Sequence, residues 1–453
     1  MEKRGLREEL PKRIFVVSLA VVSLGAAFVY GALAHRKRLP PIPQLITAYE
    51  TLFVDGFRPR YYHLQPSRGR GAGVTINETP SDGALVLIVG FFAEENQIRL
   101  MRRDGTLVRK WSPNYLEHFP DGEARLCKIL SPLRTDIHGV HVTPQGEVVF
   151  NYEYCGSAKL DPCGELIWKV DRATHHSLVP AEAGGYWTLG RLYWAAAEEP
   201  NRLPPFSSSA RKGQILKEDT LLRISEDGEI LEEVSIPGLM LGQDVEALLT
   251  AIGNTFDSDD IDRTEVMHAN KVAELPSDFA HAYPLFAAGD LVVSLRDRNL
   301  IMVLDPETKR VKWHQTGPWL RQHDPEFRPD GRISVFNNNV YRTAYLNERV
   351  VLGTPHQTNI IAVDPVSRET EVLFGEKPGQ EMLSVIRGQH EVLDDGGMLI
   401  TEFDAGRVFE VTRDGKIVWE YVNRYDDEFV GEITNGNIYP ANYFTVEWEE
   451  CES

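Results

Sequence analysis

The sequence predicts an all-β fold, a six-bladed β-propeller preceded by one transmembrane helix. Three observations predict it. One uninterrupted apolar run lies near the start, a strand-turn-strand unit recurs six times, and a second repeat sets a histidine ahead of a strand in most units. Radial repetition of four-stranded units is the propeller solution to exposed sheet edges.

The first element is the apolar run. Residues 1–13 form a basic N-terminus carrying Lys3, Arg4, Arg7, Lys12 and Arg13. Ile14 to Ala34 then gives twenty-one residues without a charge. As a helix this run is roughly 30 Å long, enough to span a bilayer core. Ala32-Leu33-Ala34 also fits the small-x-small pattern of a cleaved signal peptide, which is the rival reading. The length of the run and the basic cluster His35 to Arg38 behind it favour an uncleaved signal anchor. The excess of basic residues ahead of the run places that end in the cytoplasm. The large domain then lies in the periplasm or another extracytoplasmic space. Residues 35–70 read as linker and lead-in, 71–425 as the propeller, and 426–453 as a tail that either closes the ring or meets a partner.

The hairpins come next. They read "IRLMRRDGTLVRKW", "AKLDPCGELIWKV", "LLRISEDGEILEEV", "IMVLDPETKRVKWH", "IIAVDPVSRETEVLF" and "VFEVTRDGKIVWEY", with turns near 104, 162, 227, 306, 366 and 414. β-Branched and aromatic runs around Asp-Gly and Asp-Pro punctuation are strand-turn-strand signals. Four copies place a tryptophan at one point of the second strand, Trp111, Trp168, Trp313 and Trp419, where it packs between sheets.

Between the hairpins lies the second repeat. It reads "DIHGVHVTPQGEVVFNY" at His138, "THHSLVPAEAGGYWTLG" at His176, "QHDPEFRPDGRISVFNN" at His323 and "QHEVLDDGGMLITEF" at His390, with the variant "MHANKVAEL" at His268. In the first three a glycine follows the named histidine by eight residues. Five units therefore start their innermost strand beside a histidine, and the unit at 73–100 has none. One such histidine alone is ordinarily a hydrogen-bonded turn residue, and a repeat can copy a structural histidine. Five around one channel is a funnel.

Composition narrows what the funnel serves. The chain has 453 residues, 42% hydrophobic and 25% charged, so it buries a sizeable core. A net charge of -19 excludes nucleic acid as the main partner, since phosphates require a basic surface. Cys155 and Cys163 are close enough in sequence for a local disulfide in an oxidising compartment, or are two unpaired thiols. No cysteine pair has zinc-finger spacing. Asn77-Glu78-Thr79 is a glycosylation sequon in a eukaryotic secretory route. The acidic run Asp257 to Glu265 lacks calcium-loop spacing and reads as a solvated loop.

Two chemistries suit a histidine funnel. Three imidazoles about an axis can ligate a transition metal, yet His138 and His141 form the one ligand-type pair, and no metal is assigned. Alternatively a neutral imidazole is a nucleophile for group transfer, with a cation to hold an anionic donor. Arg296 in "LVVSLRDRNLIMVLD" fits that need, unless it only pairs with Asp297.

Five motifs carry a resemblance: "HHSLVP", "MHANKV", "SLRDRNLIMVLD", "QHDPEFRPDGRISVFNN" and "GQHEVLDDGGMLITEFDAGRVFEVTRDGKIVWEYVN". In this order, over residues 80 to 425, the chain resembles the bacterial aryl sulfotransferases, six-bladed propellers that move sulfuryl groups between phenols without an adenosine phosphosulfate donor. The resemblance implies that His323 is the nucleophile, forming a transient sulfohistidine in a ping-pong route. It implies that His176 (or His175), His268 and Arg296 bind the sulfuryl oxygens, with Asn270 as polar neighbour and His138 and His390 among the substrate-binding residues. It also implies no cofactor, a small aromatic sulfate as donor, and a phenol or other hydroxyl as acceptor. The competing reading is a non-catalytic membrane-tethered propeller that serves as an interaction scaffold. A quinone-cofactor dehydrogenase is the third, disfavoured because no adjacent cysteines and no metal-site carboxylate pattern occur.

Overall fold

In a computed structural model, residues 2–37, 63–79, 82–120, 135–195, 203, 215–250, 264–265, 267–340, 357–448 and 451 are described. Two compact units result, residues 1–59 and 60–453. In the first, Glu2–Lys37 is a single helix whose segment Ile14–Gly31 is long and apolar enough to cross a membrane. Large side chains along that segment, such as Phe15, Leu24 and Phe28, are exposed rather than packed.

The second unit folds as short strands because its apolar residues come in brief runs separated by turn glycines with positive φ, such as Gly105, Gly146, Gly228 and Gly415. Among the described residues seven antiparallel sheets result, six of them blades and the seventh the two-stranded pair Leu64–Pro66 and Phe429–Gly431. Taken from the channel outward, blade 1 is Ile433–Tyr439, Leu85–Phe92, Glu95–Arg102 and Leu107–Trp111. Blade 2 is Ile137–Val142, Val148–Tyr152, Gly156–Leu160 and Leu166–Val170. Blade 3 is His175–Pro180, Tyr186–Ala195, Ile215–Ile224 and Ile230–Ser235. Blade 4 is Ala269–Glu274, Leu291–Leu295, Leu300–Asp305 and Arg310–Thr316. Blade 5 is His323–Phe327, Ile333–Asn337, Asn359–Val363 and Thr370–Phe374. Blade 6 is Gln389–Val392, Met398–Glu402, Arg407–Val411 and Ile417–Val422, with Gly73–Asn77 as a fifth, outermost strand.

The stretch 73–100, which reads as one unit in the sequence, is thus divided between two blades. Its first strand edges blade 6, and the innermost strand of blade 1 arrives from the other end of the chain. That is why the first unit lacks a histidine before its inner strand.

Middle strands are covered on both faces by neighbouring blades, so they lose the usual alternation. All eight residues of Leu85–Phe92 and all five of Leu291–Leu295 are buried. Three of the repeated tryptophans join consecutive blades. Trp111 Nε1–H donates to Asp161 O at 3.0 Å, Trp168 to Glu226 O at 2.8 Å, and Trp419 to Arg103 O at 2.7 Å. In each case an outer-strand indole reaches the hairpin turn of the next blade round the ring.

Cys163 pairs with Cys451, 288 residues on, and Cys155 is itself disulfide-bonded, so the local Cys155–Cys163 bridge is not formed. The reason is the strand Gly156–Leu160 between them, whose five residues at about 3.3 Å each hold the two apart beyond bridging distance.

Candidate active site

Every innermost strand begins on one face of the ring, and the start of those strands is irregular in a consistent way. Blades 2, 4 and 5 carry a one-residue register shift, after His138, Ala269 and His323 respectively. Blade 3 shifts by two residues between His175 and Leu178. A bulge re-aims the side chains beside it, and here left-handed residues do so. Gly139 has φ +62, and a Cβ there would lie 2.1 Å from His176 O. His176 and His268 hold φ +54 and +55 despite their side chains, conformations that are uncommon outside glycine and cluster at functional sites. The wider bulge of blade 3 is what sets two consecutive histidines at the mouth. Blade 6 has no bulge, and there His390 is turned instead toward blade 5, its Nε2 2.7 Å from Ser334 Oγ.

The bulges bring His138, His175, His176, His268 and His323 together. Ring centroids lie 5.0 Å apart for His138 and His176, 5.3 Å for His176 and His268, and 6.4 Å for His176 and His323. Tyr154 stacks on His175 at 4.8 Å, with the Arg191 guanidinium over the tyrosine ring.

Hydrogen bonds assign the ring protons. Asn338 Nδ2 donates to Ser384 O at 2.9 Å and Arg387 O at 2.8 Å, which forces its Oδ1 toward His323. His323 Nδ1 is 2.7 Å from that oxygen and 3.2 Å from Arg321 O, two acceptors, so Nδ1 carries the proton. His323 Nε2 is then a bare lone pair and takes no hydrogen bond among the described residues. His138 Nδ1–H donates to Glu153 Oε2 at 3.0 Å. His175 Nε2 faces Gly190 O at 3.2 Å and Asp219 Oδ1 at 3.5 Å, so its proton sits there. With that nitrogen as the donor, His175 Nδ1 accepts, at 2.8 Å, from His176 Nδ1–H, which also faces Glu153 Oε1 at 3.2 Å. Two imidazoles, His323 and His176, thus have Nδ1–H committed and Nε2 unprotonated.

Electrostatics keep both neutral. Burial, then the Arg296 charge, holds His323 well below the usual imidazole range. Burial, then His138 and the other imidazoles, does the same to His176. Burial opposes ionisation of Glu153, yet His138 and Arg387 bring it down to about 2. Glu265 is likewise held well below its ordinary value against burial, by His268, Arg191 and Arg296.

Arg296 donates from Nε to Asp297 Oδ1 at 3.0 Å, and its backbone N–H binds His268 O at 3.0 Å, which ties it to the His268 strand. Its terminal guanidinium nitrogens take no partner among the described residues. His268 Nδ1 is 2.9 Å from Glu265 Oε1 but out of line for a hydrogen bond. Asn270 is 4% exposed and donates to Gln322 O at 2.8 Å. Two groups here, His138 with Glu153 and His176, and Glu265 with His268 and Asp297, keep their ligand-type atoms within 4.8 Å, close enough to hold a cation.

From this layer a cavity of about 410 Å³ follows the inner strands. His138, His323 and Asn270 border it where the strands begin, and Pro180, Pro276 and Tyr443 where they end. Sequence reasoning missed Asn338, Glu153 and Arg191. The signal for the first two was the polar end of the second strands, "VFNYEY" and "VFNNN", which run beside the histidines.

The arylsulfotransferase (ASST) family model matches residues 136–424, which takes in blades 2 to 5, the four inner strands of blade 6 and every histidine of the cluster. The chain belongs to the arylsulfotransferase family. No curated protein matches this chain by sequence. Among solved structures, a Bacteroides caccae protein of unknown function is 12% identical, with TM-score 0.47, over 78% of this chain and 98% of that one. A virginiamycin B lyase from Staphylococcus aureus is 12% identical, with TM-score 0.34, over 69% and 86%. TolB from Acinetobacter baumannii is 11% identical, with TM-score 0.40, over 79% and 67%.

Proposed function

We propose that this arylsulfotransferase moves a sulfuryl group from an aryl sulfate ester to a phenolic acceptor through a sulfohistidine at His323. The observation that carries the reading is the lock on His323. A neutral ring with its proton fixed on Nδ1 by Asn338 presents a nucleophilic Nε2. In the first half-reaction the Nε2 lone pair attacks sulfur, the N–S bond forms, and the S–O bond to the aryl group breaks. The phenolate leaves as an anion and takes its proton from solvent. In the second half the acceptor oxygen attacks sulfur, the N–S electrons return to Nε2, and the acceptor proton passes to a neighbouring base. His176, neutral with Nε2 unprotonated, suits that base better than a donor to sulfuryl oxygens. Arg296, with its terminal nitrogens unengaged among the described residues, meets the sulfuryl oxygens, and His268 stands beside it. The N-terminal helix tethers the propeller, and its Cys163–Cys451 disulfide suits an oxidising, extracytoplasmic space.

The test is transfer from 4-nitrophenyl sulfate to a phenol by the wild type and by His323→Ala, with peptide mass spectrometry after donor alone. Transfer and a sulfated His323 peptide in the wild type, both lost in the variant, are expected. A folded wild type that is inactive across several donors and acceptors would return the propeller to a scaffold role.

A further inference from the structure

The cavity beyond His323 has a charge pattern that the transfer reaction does not use. Its lining holds four carboxylates, Glu274, Asp324, Glu326 and Glu391, against one ammonium, Lys271. Lys271 Nζ is taken up by Asp324 Oδ1 at 2.7 Å and by Glu326 Oε1 at 2.5 Å. Glu391 has no such cation among the described residues. Its Oε2 accepts from Ile438 N–H at 2.7 Å, and Asn437 adds a side-chain hydrogen bond. A carboxylate without a counter-ion in a confined cavity is unfavourable, and a cationic ligand relieves it. Burial first, and then Glu326, push the Glu391 carboxyl up to about 8 against the pull of Ile438 N–H, Asn437 and Lys271. A second observation points to a ligand independently. Asn270 lines the same cavity, is 4% exposed, and has its amide fixed by Gln322 O, yet its Oδ1 has no partner among the described residues. The size, about 410 Å³, is that of a small-ligand site. Tyr439, Tyr443 and Phe279 supply aromatic surface at the far end.

We propose that this cavity is the acceptor pocket and selects phenols that carry a cationic amine opposite the hydroxyl, with the ammonium received by Glu391 and Glu326 and the hydroxyl presented to His323. This rests on the transferase reading above for the role of acceptor, while the cation preference rests on the cavity alone. The span agrees. His323 and Glu326 are three residues apart on one bulged strand, roughly 10 Å at most, which a 4-(2-aminoethyl)phenol bridges. The anionic donor is repelled by the same carboxylates and drawn instead to the Arg296 side of the histidine layer.

The experiment is calorimetric titration of the full chain in detergent with 4-(2-aminoethyl)phenol, 4-ethylphenol and 3-(4-hydroxyphenyl)propanoate, without donor. The amine is expected to bind about tenfold more tightly than 4-ethylphenol, the effect of one added charge pair, and the carboxylate most weakly. Glu391→Gln and Glu326→Gln should each erase most of that preference and leave 4-ethylphenol binding unchanged, which also reports an intact pocket. Equal binding of all three phenols, or a preference that survives in both variants, overturns the proposal. Sulfation of 4-ethylphenol is measured alongside. Transfer without amine preference sinks the pocket assignment alone. Amine preference without transfer keeps the cation site and removes the transferase reading.

Discussion

Replacing Asn338 by leucine tests the chemistry at its most exposed joint. The side chain is similar in size, but the oxygen that holds His323 Nδ1–H is gone, along with the two amide bonds to Ser384 O and Arg387 O. When Nε2 takes the sulfuryl group the ring becomes a cation, and the Nδ1–H bond becomes charge-assisted. A hydrogen bond to a charged group contributes about 1.5–3 kcal/mol, so the second half of that range, about 2–3 kcal/mol, is a loss of roughly 30- to 150-fold in rate. The readout is single-turnover release of 4-nitrophenolate, which follows formation of the sulfohistidine directly. The loss belongs in that rate constant and not in donor binding, because Asn338 touches the ring and not the substrate. A folded Asn338→Leu protein with a rate within threefold of wild type, or a defect confined to KM, would refute the argument that a fixed tautomer makes His323 the nucleophile.

Other outcomes follow from the same contacts. Because the Arg296 charge helps hold His323 below the usual imidazole range, Arg296→Met should move the acid limb of kcat/KM to higher pH, read from a pH–rate profile. Glu153 is brought down to about 2 in the fold, so its stabilisation is complete above the unfolded carboxyl value and is lost as pH falls toward 2. Glu153→Gln should therefore be less stable by about 2–3 kcal/mol near neutrality, with the gap to wild type closing below about pH 4.5 in denaturant titrations. Cys163→Ser opens the 288-residue separation closed by Cys451 and should lower stability by about 2–4 kcal/mol, with faster proteolysis of the last residues. Trp419→Phe keeps the packing but strands Arg103 O, and a loss of about 1–3 kcal/mol is expected in the same titrations.

The fold was legible because propeller units repeat both composition and spacing. The hairpin turns and the tryptophans announce the outer strands, and the indole links to the next blade show why that residue recurs. What the repeat could not announce was its own phase. A closed ring has no first blade, so a strand from the end of the chain can complete the unit that begins it. Ile433–Tyr439 does so without a turn signal that ties it to Leu85. The disulfide was hidden for a related reason. Nearness in sequence suggested Cys155 with Cys163, while an extended strand separates them and the ring brings Cys451 round to Cys163.

The candidate site was legible by position and less so by orientation. A glycine eight residues after a histidine aligned His138, His176 and His323, but strand pairing aligns His138 and His323 with His175. The discrepancy is one residue, the extra one in the blade 3 bulge. In a strand one residue reverses which face a side chain takes, so no spacing rule could settle which of the two histidines faces the axis. The left-handed backbone at His176 resolves it by turning that ring toward His138, His268 and His323, while His175 stays behind it as hydrogen-bond acceptor. His390 shows the converse. It keeps the motif but lacks the bulge, and its ring goes to Ser334. The same logic explains why Asn338 escaped notice. Its importance lies in two backbone carbonyls, Ser384 O and Arg387 O, far along the chain, that fix which end of its amide meets His323. His323 was readable from the sequence as a candidate residue, but its tautomer is a property of the ring of blades.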